Sequence, residues 1–208
     1  MMDDKACCDR LTAVIRGYNN YFTNILNHRV DAKRRTIKKE GYPFIASGRA
    51  VSILKCLGRI QKHLMANNGV YFPKFVDCGC GIGNVLLLAN SMGYEVTGIE
   101  HDGKTAKIAE KMMQFTGSSV IKEDIAKFKH YSRFDVIYFY TPINSCALMD
   151  QFLKNVRDSA KVGAVIVSYN QAIGILSKSR MFKRMKECKC DGHLGIQVYE
   201  KVRKSNSW

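Results

Sequence analysis

Apolar positions along this chain repeat with two different periods. Leu11, Val14, Ile15, Tyr18, Tyr21, Phe22, Ile25 and Leu26 recur at helical spacing and predict an amphipathic helix over about residues 7–28, interrupted near Gly17. Val51, Ile53, Leu54, Leu57, Ile60, Gln61 and Leu64 predict a second over about 48–66, capped by Ser47 and ended by Asn67-Asn68-Gly69. Gly41-Tyr42-Pro43-Phe44 breaks the pattern between them. Past residue 70, short apolar runs alternate with helical stretches. Strands are expected from Phe75, over Glu95–Glu100, Ser119–Asp124 and Phe134–Tyr140, and over Gly163–Ser168; helices are expected over about 83–92, 103–116, 145–159 and 171–182. Lys183–Lys189 and Gly195–Val202 read as a hairpin around Asp191-Gly192. Strands apolar on both faces and separated by helices belong to a parallel sheet covered on both sides, so the expectation is an α/β fold with an antiparallel ending.

The densest chemical signal is Phe75 to Asn84, reading Phe-Val-Asp-Cys-Gly-Cys-Gly-Ile-Gly-Asn. A strand, a turn with glycines at 79, 81 and 83, and a buried helix bring bare backbone against a ligand. A dinucleotide fingerprint needs its third glycine at position 84, which is Asn84. Asp77, two residues before the first glycine, repels a pyrophosphate and attracts a cationic ligand carrying an ammonium and a sulfonium. Glu100 ends the second strand 17 residues after Gly83, where a carboxylate can accept from both hydroxyls of a ribose. Asp102 fits the cap of the next helix, and Gly98 inside the strand marks a close backbone approach.

Asp77, Gly79, Gly81 and Gly83 match D-x-G-x-G-x-G, and here the chain resembles the class I S-adenosylmethionine-dependent methyltransferases over about residues 46–202. The resemblance implies a Rossmann-like, seven-stranded, mostly parallel sheet with an antiparallel C-terminal hairpin, preceded by an N-terminal helical extension. It implies S-adenosylmethionine as cofactor, with Asp77, Cys78, Gly79, Gly81, Gly83, Asn84, Glu100 and His101 around it. Asp124 would accept from the adenine amine, with Glu123 as the alternative, and the Ile125 amide would meet the ring edge. Tyr140 and Thr141, at the end of the fourth strand, would lie beside the transferable methyl as the catalytic corner. The following Pro142-Ile143-Asn144 departs from the [DNS]-P-P-[FYW] motif of enzymes that methylate nucleic-acid amino groups, since one proline is missing. In some small lysine methyltransferases an aromatic-proline segment closes over the cofactor, and Tyr42-Pro43-Phe44 is similar; a hydrophobic plug between the two helices is the plainer reading. Two segments follow: a helical, basic extension over 1–45 and a cofactor-binding domain over 46–208.

Charge adds a partner to this picture. Residues 1–70 carry 13 Lys/Arg against 5 Asp/Glu, residues 71–173 carry 11 against 10, and residues 174–208 carry 9 against 3. A near-neutral middle with basic ends points to an acidic polymer, RNA or DNA, as acceptor. A protein lysine is the alternative acceptor, a small molecule is a further one, and a non-catalytic methyltransferase-like subunit that holds nucleic acid is a rival of another class. The run Arg29 to Lys39 is the densest positive stretch; it fits phosphate binding, a solvated helix face or a flexible link. No apolar run reaches the length of about 18 residues that spans a membrane, and the start Met-Met-Asp-Asp is unlike a signal peptide, so an intracellular, cytoplasmic protein is expected. The eight cysteines then read as reduced thiols. Cys188, Cys190 and His193 supply three zinc-type ligands without a fourth nearby, so no metal is expected.

Overall fold

The computed structural model describes residues 50–169, 173–186, 188 and 195–203. The helix expected over 7–28, the basic run 29–39, Tyr42-Pro43-Phe44, Ser47, Cys190, Asp191-Gly192 and His193 lie outside the described residues. The elements are α1 (Ala50–Asn68), β1 (Lys74–Cys78), α2 (Asn84–Ser91), β2 (Glu95–Glu100), α3 (Gly103–Met113), β3 (Ser119–Lys122), β4 (Val136–Tyr140), α4 (Cys146–Ser159), β5 (Val165–Tyr169), α5 (Gly174–Ser177), β6 (Phe182–Arg184) and β7 (Ile196–Lys201). They form one seven-stranded sheet in the order β3-β2-β1-β4-β5-β7-β6. β1 to β5 are parallel, and β7 runs antiparallel to both β5 and β6. This is the mostly parallel α/β sheet with an antiparallel ending that the alternation of patterns predicts. Among the described residues no helix is long and apolar enough to cross a membrane.

Successive strand residues feed two cores. On one face Phe75, Val96, Tyr138, Val167 and Val198 pack with Leu57, Ile60 and Leu64 of α1 and Leu86 of α2. On the other, Val76, Ile99, Ile137, Phe139 and Ile166 pack with Phe152, Leu153 and Val156 of α4. Because both faces are covered, the central strands are buried throughout, which is why they read as continuous apolar runs. Polar atoms inside the cores are satisfied where they tie elements together: the Tyr94 hydroxyl donates to the Leu57 carbonyl at 2.7 Å, fixing α1 to the start of β2.

The hairpin arm expected over Lys183–Lys189 is a strand only over Phe182–Arg184 among the described residues, and three further boundaries differ for a local reason. The helix expected over 103–116 ends at Met113, where the Thr116 hydroxyl donates to the Met113 carbonyl and the chain leaves through Gly117. Instead of a helix over 171–182, the described residues hold one turn, Gly174–Ser177, followed by strand β6 from Phe182. Ser177 donates to the Gly174 carbonyl and Ser179 accepts from the Met181 amide, so short side chains compete for the groups that a longer helix needs. Phe182 is then free to join the α4 core and pair with Lys201. The strand expected to reach Asp124 stops at Lys122.

Lys201 locks the antiparallel ending to the helix layer. Its side chain is 2 % exposed, and its ammonium donates to the carbonyls of Arg157 and Ala160 at the end of α4. These carbonyls sit at the negative end of the helix dipole. Burial lowers the Lys201 pKa, against which nearby Asp158 acts weakly. We expect Lys201→Ala to leave both carbonyls without this donor and to cost about 2–4 kcal/mol, lowering Tm by roughly 5–12 °C in thermal unfolding; a Tm within about 2 °C of the parent would remove Lys201 from this role.

Candidate cofactor and acceptor site

In parallel sheets ligands bind outside the carboxyl ends of the strands, where the strand order reverses. Here that point lies between β1 and β4, because β2 and β3 lie on one side of β1 while β4 and β5 lie on the other. The residues singled out in the sequence fall on this edge. Asp77 and Cys78 end β1, the glycine turn follows, and Asn84 opens α2. Glu100 ends β2, His101 is exposed beyond it, Asp124 and Ile125 follow β3, and Tyr140 and Thr141 stand at the end of β4. Cys78 is the partial exception, since its side chain is buried in the α4 core and only its backbone can face a ligand.

The turn is built by positive φ angles, with Gly79 at 81° and Gly81 at 56°. A Cβ on Gly79 would come within 3.0 Å of the Pro142 Cβ, so the glycine turn and the β4 corner are packed directly against each other. A Cβ on Gly81 meets nothing within 4 Å, which leaves that side of the turn open. Gly98 has no room for a side chain, since its Cβ would lie 2.6 Å from the Cys80 Sγ and 2.8 Å from the Leu86 Cδ1. Cys80 therefore tucks under the turn against β2.

Two buried acids lie beneath this opening. Glu100 accepts from the Gly81 amide through Oε2 at 3.0 Å and from the Asp102 amide through Oε1 at 2.9 Å. Asp102 in turn accepts from the Thr105 amide at 2.8 Å and caps α3, as its position predicts. Asp77 is 3 % exposed and has no ion-pair partner among the described residues. Burial first, and the neighbouring Glu100 second, push its pKa up to about 8. Burial also raises Glu100, against the pull of its backbone donors. A cationic ligand in the open side of the turn would complement this pair, and S-adenosylmethionine, which carries an ammonium and a sulfonium, fits that chemistry.

The other residues are held locally. Asp124 accepts from the Ala126 amide at 2.9 Å, and the Tyr131 hydroxyl donates to the Ile125 carbonyl at 3.1 Å, which fixes the turn after β3. The Tyr140 ring packs at 4.6 Å against Tyr169 at the end of the neighbouring β5. Thr141 has φ 37°, the one positive value at a non-glycine among the described residues, and it precedes a proline, which disfavours that region further. Strain of this kind persists only where its surroundings impose it, here Pro142 against Gly79. Pro142 and Cys80 were not among the site residues read from the sequence. The lone proline after a buried strand was a visible signal for the first; nothing in sequence marked the second.

An open α/β sheet with a glycine turn, two strand-end acids and a strained β4 corner defines a nucleoside-type binding site. Residues 73–204 match the family model described as a methyltransferase domain, and the chain belongs to that family. It is an S-adenosylmethionine-dependent methyltransferase of the class I fold. Among solved structures, a Haemophilus influenzae protein described as a methylase is similar at 19 % identity and TM-score 0.58, over 73 % of this chain and 99 % of that one. Magnesium protoporphyrin IX methyltransferase from Synechocystis PCC 6803, with bound S-adenosylmethionine, aligns over 92 % of this chain and 97 % of its own at 12 % identity and TM-score 0.56. An RNA methyltransferase from Salinibacter ruber, in complex with S-adenosylhomocysteine, aligns over 73 % and 92 % at 17 % identity and TM-score 0.50. No curated protein sequence matches significantly.

The raised Asp77 pKa sets a stability dependence. Between the ordinary carboxylate value of about 3.9 and the folded value of about 8, the folded ligand-free protein holds a proton that the unfolded chain has released. Asp77 therefore withdraws stability as pH rises through that window. The Asp77→Asn variant should lose less stability from pH 5 to pH 8 than the parent and unfold on the order of 5 °C higher at pH 8. Parallel Tm-against-pH curves for the two proteins would show that Asp77 does not titrate there.

Proposed function

We propose that this methyltransferase acts on nucleic acid, RNA or DNA, and that the residues on the carboxyl edge of the sheet hold the cofactor. The observation that carries the acceptor is the division of charge: 11 Lys/Arg against 10 Asp/Glu in residues 71–173, flanked by 13 against 5 and 9 against 3. A basic surface outside a near-neutral site suits an acceptor much longer than the site, gripped by its phosphates. The named relatives act on RNA and on a porphyrin, so the shared fold leaves the acceptor to this chain's own surface.

In this reading Asp77 ionises against the positive charge of the bound cofactor. Glu100, oriented by the Gly81 and Asp102 amides, presents its remaining lone pairs to the ribose hydroxyls. Asp124, with Oδ1 turned to Ala126, offers Oδ2 to the adenine amine, and the Ile125 amide meets the ring. Gly79, Gly81 and Gly83 let backbone approach, with Cys78 contributing backbone alone and Asn84 and His101 flanking the site. S-adenosylmethionine supplies a methyl carbon on sulfur: the acceptor lone pair forms the new bond to carbon, the carbon–sulfur electron pair stays on a neutral thioether, and the acceptor's proton passes to water. Tyr140 and Thr141 border the acceptor and hold it in line, which is the larger part of what the protein must do.

Two measurements test this. Methyl-labelled cofactor incubated with cellular RNA, DNA and protein should leave label that nuclease removes and protease does not; protease-sensitive label would replace nucleic acid with a protein acceptor. Calorimetry of cofactor binding in buffers of different ionisation heat should show proton release at pH 7, with affinity rising by up to about tenfold per pH unit from 6 to 8. Asp77→Asn should abolish both the proton release and the pH dependence. Parental behaviour in that variant would take Asp77 out of the cofactor site.

A further inference from the structure

Residues 173–186 contain Lys178, Arg180, Lys183, Arg184 and Lys186 and no Asp or Glu. All five are exposed. They surround β6, which among the described residues is an edge strand with β7 on one side and no strand on the other. Phe182 packs into the α4 core and Met185 into the opposite one, so the alternation of the strand sends Lys183 and Arg184 to opposite faces of the edge. None of the five is in an ion pair among the described residues. Glu200 stands across the ladder from Lys183, but its carboxylate is 3.4 Å from the His63 Nε2.

Cations on an edge strand discourage pairing with another sheet, which explains Lys183 and Arg184 alone. Lys178 and Arg180 lie before the strand and Lys186 after it, where no ladder needs protection. Lys178 also lines a cleft of about 470 Å³ with Cys146 and Asp150 of α4, which begins four residues after Pro142. Lys178 thus lies toward the end of the molecule that holds the β4 corner, and the edge runs from there to the amino end of the sheet, where Phe182 pairs with Lys201 one residue beyond the Val165–Glu200 pair that opens β5. The exposed aromatic residues among those described, Tyr71, Phe72 and Phe115, precede β1 and β3, which β4, β5 and β7 separate from β6 in the sheet. Proteins that hold single strands stack bases on aromatic rings; an edge with charge alone reads the phosphate backbone.

We propose that Lys178, Arg180, Lys183, Arg184 and Lys186 form a track that binds the phosphates of a double-helical segment of RNA or DNA and leads it to the acceptor corner. This rests on the nucleic-acid reading above and adds the surface and the form of the partner. The full chain is titrated into labelled RNA and DNA duplexes of about 20 base pairs, and into their separated strands, over a range of salt. The contrast is between Arg180→Ala/Lys183→Ala/Arg184→Ala and the charge-matched Lys107→Ala/Lys111→Ala/Lys129→Ala, whose lysines are also exposed. The edge variant should bind duplex about 10- to 30-fold more weakly near 100 mM salt, with a salt slope shallower by about 2–3, while its cofactor affinity stays within about twofold. The control should keep the parental slope.

A parent that binds duplex tightly alongside an edge variant with unchanged slope overturns the track and leaves the acceptor reading standing. Equal weakening in both variants overturns it in favour of diffuse attraction. Single strands bound as well as duplex overturn the duplex assignment. A parent that binds none of these and labels only protein overturns the acceptor reading, and the track falls with it.

Discussion

The hydrogen bond from the Gly81 amide to Glu100 joins two parts of the chain that the sheet alone only places side by side. β1 and β2 are parallel neighbours with Cys78 level with Ile99, so the glycine turn and the end of β2 emerge together. Cys80 and Leu86 fill the room that Gly98 leaves, which brings the turn down onto the strand and Glu100 up to its amide. Both carboxylates are then withdrawn from water. Such burial is unfavourable for an ionised acid unless an opposite charge arrives, and Asp77 has none among the described residues. The proposed cofactor carries a sulfonium and an ammonium, and bound in this turn it would supply that opposite charge.

The second constraint is steric. Pro142 sits where a side chain on residue 79 would go, and Thr141 is held at φ 37° beside it. The cofactor turn and the acceptor corner therefore share a boundary with no slack. A ligand that shifts the turn must move Pro142 or be accommodated by Thr141, whose backbone has no broad minimum to relax into. The position of the β4 corner is consequently set by the glycine turn as well as by β4. Tyr140, braced on Tyr169 of β5, ties the same corner to the next strand.

Much of this was legible in sequence because the signals are local. Parallel strands buried on both faces leave continuous apolar runs, and the positions of Asp77 and Glu100 at strand ends follow once those runs are placed, while Asp124 lies two residues beyond the end of β3. Asp102 was legible as a cap because capping is local, the side chain reaching the amide three residues on at Thr105. What could not be read depends on residues far apart in the chain. The Gly79–Pro142 contact, the place of Cys80 beneath Gly98 and the hold of Lys201 on the end of α4 arise from packing across the sheet. The predicted 171–182 helix failed for a related reason. Its apolar spacing suited a helix, but serine side chains bonded locally and the core beyond Leu176 required Phe182 as a strand residue.

Charge obeys a different logic from packing. The carboxyl edge of the sheet gathers the buried acids Asp77 and Glu100, and a polyanion brought close to them would be repelled once they ionise. An acidic polymer can serve as acceptor only if the attraction is supplied elsewhere and outweighs that repulsion at the corner. The proposed basic track, whose cations form no ion pair among the described residues, would provide this, because beyond a Debye length of about 8–10 Å the two fields act almost independently. The near-neutral balance of residues 71–173 beside the basic ends is the arrangement such a division of labour requires.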